Sequence, residues 1–340
     1  MTATQTTGLL QRAAGDRDVL SSVRVVPGET PTHIWEANHI LAVEMGLATG
    51  RALLVRGAPG TGKTQLAKAA AHALGAALVP YTVDAHTEPR DLKYHVDHVA
   101  RLARAQAMAA MAPQSVSREG APASSSGRDP LEPSQFVHPG PLWWGFNPVS
   151  AREQAQNTGL DPKGCAVPPG AEAGGRVLLL DEIDKADPTV PNSLLDALGY
   201  DVFDVPIPGC PPRVERAEGR LLVVITTNEE RSLPDAFLRR CLVLELEPPS
   251  SVDELVERGA AHFAALALPI LEEAAHQLMA DQAEARRQGS YVPGLAEYLD
   301  LLRALVSMCG EDDTRQRALL EQAARFVFRK ERRGARGATR

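Results

Sequence analysis

The chain has 340 residues, 44% hydrophobic and 23% charged, with a formal net charge of −7. This is the make-up of a globular protein with room for one large domain and a smaller one, and its acidic balance argues against general nucleic-acid binding. Cys165, Cys210, Cys241 and Cys309 lack C-x-x-C spacing and read as reduced thiols; residues 1–30 hold no apolar signal core, and the longest apolar stretch, around 263–271, is broken by Pro269 and too short for a bilayer, so a soluble cytoplasmic protein without a membrane partner is expected.

Residues 1–30 are polar and read as a flexible leader, with a short helix over 9–14. Apolar residues at helical spacing predict a helix over 34–47. The apolar run Ala52-Leu53-Leu54-Val55 then reads as a strand, and 65–71 as a helix. Between them lie Gly57, Ala58, Pro59, Gly60, Thr61, Gly62, Lys63 and Thr64, a complete G-x-x-x-x-G-K-T phosphate loop in its strand–loop–helix context. The glycines let successive N–H groups point at phosphate oxygens, and the helix N-terminus adds partial positive charge. Lys63 is expected at the β- and γ-phosphates of a nucleoside triphosphate and Thr64 at a magnesium ion.

Residues 76–81 read as a second strand and the alanine-rich 98–111 as a helix. The serine-, glycine- and proline-rich segment 113–130 reads as a mobile insertion. Trp143-Trp144-Gly145-Phe146 stands out in a chain with 4% aromatics. It is either a partner-contact loop or an anchor of an inserted segment on the core. Residues 176–182 read Arg-Val-Leu-Leu-Leu-Asp-Glu, a short apolar run behind Arg176 that ends in Asp181 and Glu182, as a strand buried on both faces should. Asp181 is placed to bind magnesium through water, and Glu182 to orient and deprotonate an attacking water.

Alternation over 200–215 around Pro208-Gly209 predicts a β-hairpin. Residues 221–227 are another apolar strand, ending at Asn228. Ligands sit beyond the carboxyl ends of strands in an open parallel sheet, so Asn228 is expected between the phosphate loop and the acidic pair, helping to position the water. Arg239 and Arg240 follow, and an arginine here is the usual source of a finger inserted into a neighbouring subunit's site. From 251 to about 328 the pattern is helical, interrupted near 290–294, and reads as an all-helical lid. The basic segment 325–340 is a solvated tail or, alternatively, a contact for an acidic partner or RNA. No internal repeat is visible.

Taken together, residues 35–310 resemble the AAA+ ATPases, and more narrowly the MoxR branch. The stretches 136–142 (Phe-Val-His-Pro-Gly-Pro-Leu), 181–187 (Asp-Glu-Ile-Asp-Lys-Ala-Asp) and 191–198 with Leu194-Leu195 are also MoxR-like. The resemblance implies an α/β P-loop NTPase (AAA+) fold, an αβα core with a parallel five-stranded sheet over 31–248 and a C-terminal all-helical lid over 249–328, followed by a tail over 329–340. It makes residues 57–64 the Walker A loop, Asp181 and Glu182 the end of Walker B, Asn228 sensor 1 and Arg240 the arginine finger, with Arg239 the near competitor. It implies ATP and Mg2+, a homo-oligomer, most simply a hexamer, and a chaperone or remodelling role on a protein client, often one with a von Willebrand A domain. Two departures stand beside it. The segment 291–295, where the family keeps a second sensor, has no basic residue, and Arg303 lies further along the same helix, too far to substitute, so no second sensor is assigned. The stretch from Pro141 to Arg176 is longer than the family pattern. The rival functions are a nucleotide-dependent signalling switch with low turnover, a helicase or DNA-remodelling motor and, most weakly, a small-molecule kinase.

Overall fold

The structure is a computed structural model that describes residues 33–111, 129–158 and 175–328. The expected leader, nearly all of the 113–130 insertion and the basic tail beyond 328 lie outside the described residues. In chain order the elements are α1 (Ala37–Thr49), β1 (Leu53–Arg56), α2 (Lys63–Leu74), β2 (Ala77–Thr82), β3 (Tyr94–Val96), α3 (His98–Met111), β4 (Val137–Pro139), α4 (Pro141–Phe146) and α5 (Pro148–Thr158). There follow β5 (Arg176–Asp181), α6 (Thr189–Tyr200), β6 (Val202–Asp204), β7 (Arg213–Glu215), β8 (Leu221–Thr227), α7 (Asp235–Leu238) and β9 (Leu242–Glu245). Four helices close the described chain: α8 (Val252–His262), α9 (Leu268–Gln288), α10 (Leu295–Cys309) and α11 (Asp313–Val327).

The apolar runs read from the sequence become the centre of one parallel sheet with strand order β2-β5-β8-β1-β9. Every residue of β8 is buried, and so are the first five of β5. Side chains alternate across a strand, so each run feeds two cores. Leu178, Leu180, Val223 and Ile225 face Trp143, Trp144, Phe146, Val190 and Leu194. Val177, Leu179, Leu222 and Val224 face Ile40, Val43, Leu66 and Ala70 on α1 and α2. This is the expected αβα sandwich around a parallel five-stranded sheet. The short strands pair antiparallel, β3 with β4 and β6 with β7, the latter being the predicted hairpin.

The aromatic cluster is an anchor. Trp143, Trp144 and Phe146 on α4 are at most 1% exposed, and Trp143 and Phe146 both meet Phe203 of the hairpin, at 6.3 and 6.0 Å between ring centroids. Rings this deeply buried have no face left for a partner. α3, by contrast, buries no residue, although its helix was legible.

Helices α8 to α11 form a third core around Leu255, Ile270, Leu278, Tyr298, Leu302 and Phe328. No helix among the described residues is long and apolar enough to cross a membrane. The segment entering α1 touches this helical part: Arg258 of α8 pairs with Glu36 at 3.5 Å. Beside them His33 packs edge-on against Trp35 at 4.9 Å and shares a hydrogen bond with His39 at 3.3 Å. Burial, then the charges of His39 and Arg258, push the His33 pKa down to about 3. The folded state therefore refuses a proton that the unfolded chain accepts near pH 6.5, so the stabilisation is complete above that pH and declines as pH falls towards about 3. We expect stability to drop on acidification by up to ~1.4 kcal/mol per pH unit from this group. Urea unfolding at pH 7 and pH 5 should show a smaller loss for His33→Gln than for the parent; an equal loss would remove His33 from the account.

Candidate functional site

Because β5, β8 and β1 are adjacent and parallel, their carboxyl ends open on one edge of the sheet. β1 delivers Gly57, β5 delivers Asp181 and Glu182, and β8 delivers Asn228. The loop after β1 needs its glycines. At Gly57 (φ +150°) a Cβ would lie 2.4 Å from the Leu246 carbonyl oxygen, and Gly62, which caps α2, takes φ +95°. Both are conformations that L side chains rarely adopt. Lys63 opens α2 and is 6% exposed. Its ammonium donates to the carbonyls of Gly57 at 2.8 Å and Ala58 at 2.9 Å. Burial lowers its pKa, opposed by the charges of Asp181, Asp184, Glu182 and Glu229.

The next residue meets the acidic strand end. Thr64 Oγ1 donates to both Asp181 oxygens, at 3.0 and 2.9 Å. Thr226 Oγ1 donates to the same carboxylate at 2.6 Å while accepting the Glu182 N–H at 2.8 Å. A hydroxyl and a carboxylate this close are the hard oxygen donors that magnesium selects, so the residues fit that ion. Among the described residues no group of three or more His, Cys, Asp or Glu could hold a metal, so a cation here would draw its remaining ligands from phosphate and water.

Glu182 itself has φ +62°, a left-handed conformation that a non-glycine residue holds only where its surroundings fix it. The Thr226 bond to its N–H supplies part of that. Its carboxylate receives the Asn228 side-chain amide at 3.3 Å and the Lys185 ammonium at 2.5 Å. The Asn228 turn is tied down by Asp184, which is 2% exposed and accepts from the N–H groups of Asn228 at 3.2 Å and Glu230 at 3.0 Å.

A cavity of about 380 Å³ lies over this edge, lined by Lys63, Thr64, Asp181, Glu182 and Asn228 on one side, a volume typical of ligand sites. The lid helices form the other wall. A Cβ on Gly60 would touch Ala296 at 3.0 Å, so the start of α10 rests on the phosphate loop. Ala296, Leu299, Asp300 and Arg303 share one face of α10 and line the cavity, joined by Arg258 and His262 of α8. The expectation that Arg303 stands too far from the site is corrected, because α10 runs along the cavity wall instead of away from it. Arg240 is not at this cavity. With Arg239 it is exposed beside a separate one of about 350 Å³, bounded by Arg51, Leu195 and Phe237.

The AAA domain of the dynein-related subfamily matches residues 52–241, more than half of the chain. The chain belongs to that family. The matched region runs from β1 through the phosphate loop, the acidic pair and Asn228 to the residue after Arg240. No curated protein matches the chain. Among solved structures it is similar to the Thermotoga maritima RuvB Holliday junction branch migration motor, at 15% identity with TM-score 0.41, over 84% of this chain and 66% of that one. A putative ATPase from Cytophaga hutchinsonii matches at 12% identity with TM-score 0.41, over 96% of this chain and 87% of that one. Likenesses this distant carry no argument about function.

Several residues that shape this AAA site carried no role in the sequence reading. Thr226 has a visible signal, a hydroxyl at the end of an otherwise apolar strand. Asp184 has one too, as a third acid, beside the apolar Ile183, in the run from 181 to 187. Arg258 and His262 have none, since only the packing of α8 turns them to the cavity.

Proposed function

We propose that this AAA protein is a MoxR-like ATPase that works as a ring, most simply a hexamer, remodelling a protein partner of which a von Willebrand A domain protein is the leading candidate. The observation that carries the reading is a division of parts. Lys63, Thr64, Asp181, Glu182 and Asn228 line one cavity, while Arg240 is exposed outside it. The cavity of one subunit does not include Arg240, which supports a finger supplied by a neighbour.

On this reading Lys63 leaves the carbonyls of Gly57 and Ala58 for the β- and γ-phosphates, whose oxygens the amides of the glycine loop would cradle. Thr64 and Asp181 would hold magnesium, which neutralises developing phosphate charge. Asn228 and Glu182 orient the water, and Glu182 takes its proton once Lys185 has released the carboxylate. Arg240 of the next subunit bridges γ-phosphate oxygens. Contact of Ala296 with the phosphate loop supports transmission of the nucleotide state to the lid and from there to the client.

A second reading, a switch with low turnover, is favoured by the ion pair of Lys185 with Glu182, since the carboxylate is then engaged by an ammonium and not aimed at a water. Steady-state ATP turnover measured across a dilution series separates the two. The ring motor loses per-subunit activity as it dissociates; a rate that is low at every concentration supports the switch. A concentration-independent, high rate would defeat the shared site.

Lys63→Ala should weaken ATP binding by roughly ten- to a hundredfold, from loss of a charge-assisted contact worth about 1.5–3 kcal/mol. Calorimetric titration reads this directly. Unchanged affinity would show that residues 57–64 are not the site.

A further inference from the structure

Arg51 stands two residues before β1 and far from the nucleotide cavity, yet it makes long-range contacts of unusual density. Its guanidinium donates to the carbonyls of three successive residues: Arg239 at 2.6 Å, Arg240 at 3.2 Å and Cys241 at 2.9 Å. These carbonyls follow the single turn of α7, whose end has no further helix to satisfy it. The next residue is already fixed, because the Leu242 N–H donates to the Ala52 carbonyl at 2.8 Å and opens β9. The turn bearing the arginine pair is therefore held at one end by the sheet and along its carbonyl side by one planar cation.

We propose that Arg51 is the positioning residue of the arginine finger, fixing the backbone of residues 239–241 so that the exposed Arg240 side chain meets the neighbouring subunit's phosphate in register. This rests on the reading of Arg240 as a finger used in trans. A rigid five-donor fork suits the task because its N–H vectors diverge in one plane towards spaced acceptors. A lysine ammonium reaches fewer of them. The local charge acts in the same direction. Arg51, Arg239 and Arg240 crowd one cavity edge with Asp201 as the lining acid, so the Arg240 guanidinium gains little by folding back onto its own subunit. The clamp also belongs to the segment leading into β1, the strand that ends at the phosphate loop. The frame holding one site thus also aims the finger at the next.

The test is subunit mixing, which a general loss of fold would not pass. Arg51→Ala is expected to keep ATP affinity and KM within about twofold while kcat falls roughly 10- to 100-fold, the scale of an ångström-sized misplacement. Arg51→Lys should fall between it and the parent. Mixed with Lys63→Ala subunits, which have a dead loop and an intact finger, Arg51→Ala should regain activity. Mixed with Arg240→Ala subunits it should not, since both lack a working finger. Parental kcat in Arg51→Ala would overturn the clamp. Recovery in the Arg240→Ala and Lys63→Ala control mixture without recovery for Arg51→Ala would also overturn it, leaving the finger intact. If that control fails in mixtures shown to co-assemble, the shared site itself falls. Should Arg51→Ala prove insoluble, Arg51→Lys carries the same mixtures, and an equal effect on both partners would again count against the clamp.

Discussion

Glu182→Gln should bind ATP at least as tightly as the parent and lose hydrolysis by about 10²- to 10⁴-fold, the usual contribution of a positioned general base. The substitution changes little else. Glutamine keeps an oxygen for the Asn228 amide, now 3.3 Å from Glu182, and the backbone bond from Glu182 N–H to Thr226 is untouched. The left-handed φ of +62° is shared by parent and variant, so its strain cancels. What disappears is the proton acceptor and the ion pair with Lys185, whose side chains are 41% and 29% exposed. A pair this open contributes at most about 1 kcal/mol, so the melting temperature should move little. The bonds of Thr64 to Asp181, the pair proposed to hold magnesium, are also untouched. On the proposed ring reading, the variant should therefore accumulate in the ATP-bound form. Quenched-flow single-turnover measurement is the decisive readout. Parental hydrolysis in Glu182→Gln would reassign the base.

How much of this site could be read from the chain depends on what each position demands. The phosphate loop is legible because Gly57 and Gly62 occupy backbone conformations that exclude other residues, and Lys63 follows in the one position that opens α2. β5 and β8 are legible because burial on both faces keeps their centres, 177–180 and 221–225, apolar, which makes Asp181, Glu182 and Asn228 at the carboxyl ends conspicuous. The lid wall is not legible in that way. Arg303 looked remote when counted from Gly294 along the chain. Its distance matters less than the face it shares with Ala296, Leu299 and Asp300, and only packing decides that this face lies along the cavity. Arg51 is harder still, since it acts across 188 to 190 positions on backbone carbonyls, which place no demand on side-chain identity at residues 239–241. The Trp143–Phe146 cluster shows a different limit. Composition marks it as unusual, but aromatic residues serve cores and interfaces alike, and burial alone separates the two.

Arg240→Ala should retain ATP affinity and lose most turnover, by about 10³- to 10⁵-fold where a finger stabilises the transition state. Adjacent residues on a helical turn point about 100° apart, so only one of Arg239 and Arg240 can enter a given neighbouring site. Both are exposed, and their backbone is held by the same guanidinium, so exposure does not choose between them. Chemistry sharpens the choice. A finger must bridge two γ-phosphate oxygens with a planar cation, which makes Arg240→Lys severely impaired although charge is conserved. Arg239→Lys should be close to parental, because a solvent-facing charge needs no fork. Steady-state kinetics on these variants, with ATP affinity measured beside them, reads the assignment. A dead Arg239→Ala beside an active Arg240→Ala would move the finger by one residue. Equal, mild losses in both would mean that transition-state charge is met from within the subunit, and Arg258 and Arg303 on the lid wall of the same cavity would then be the cations in position to meet it.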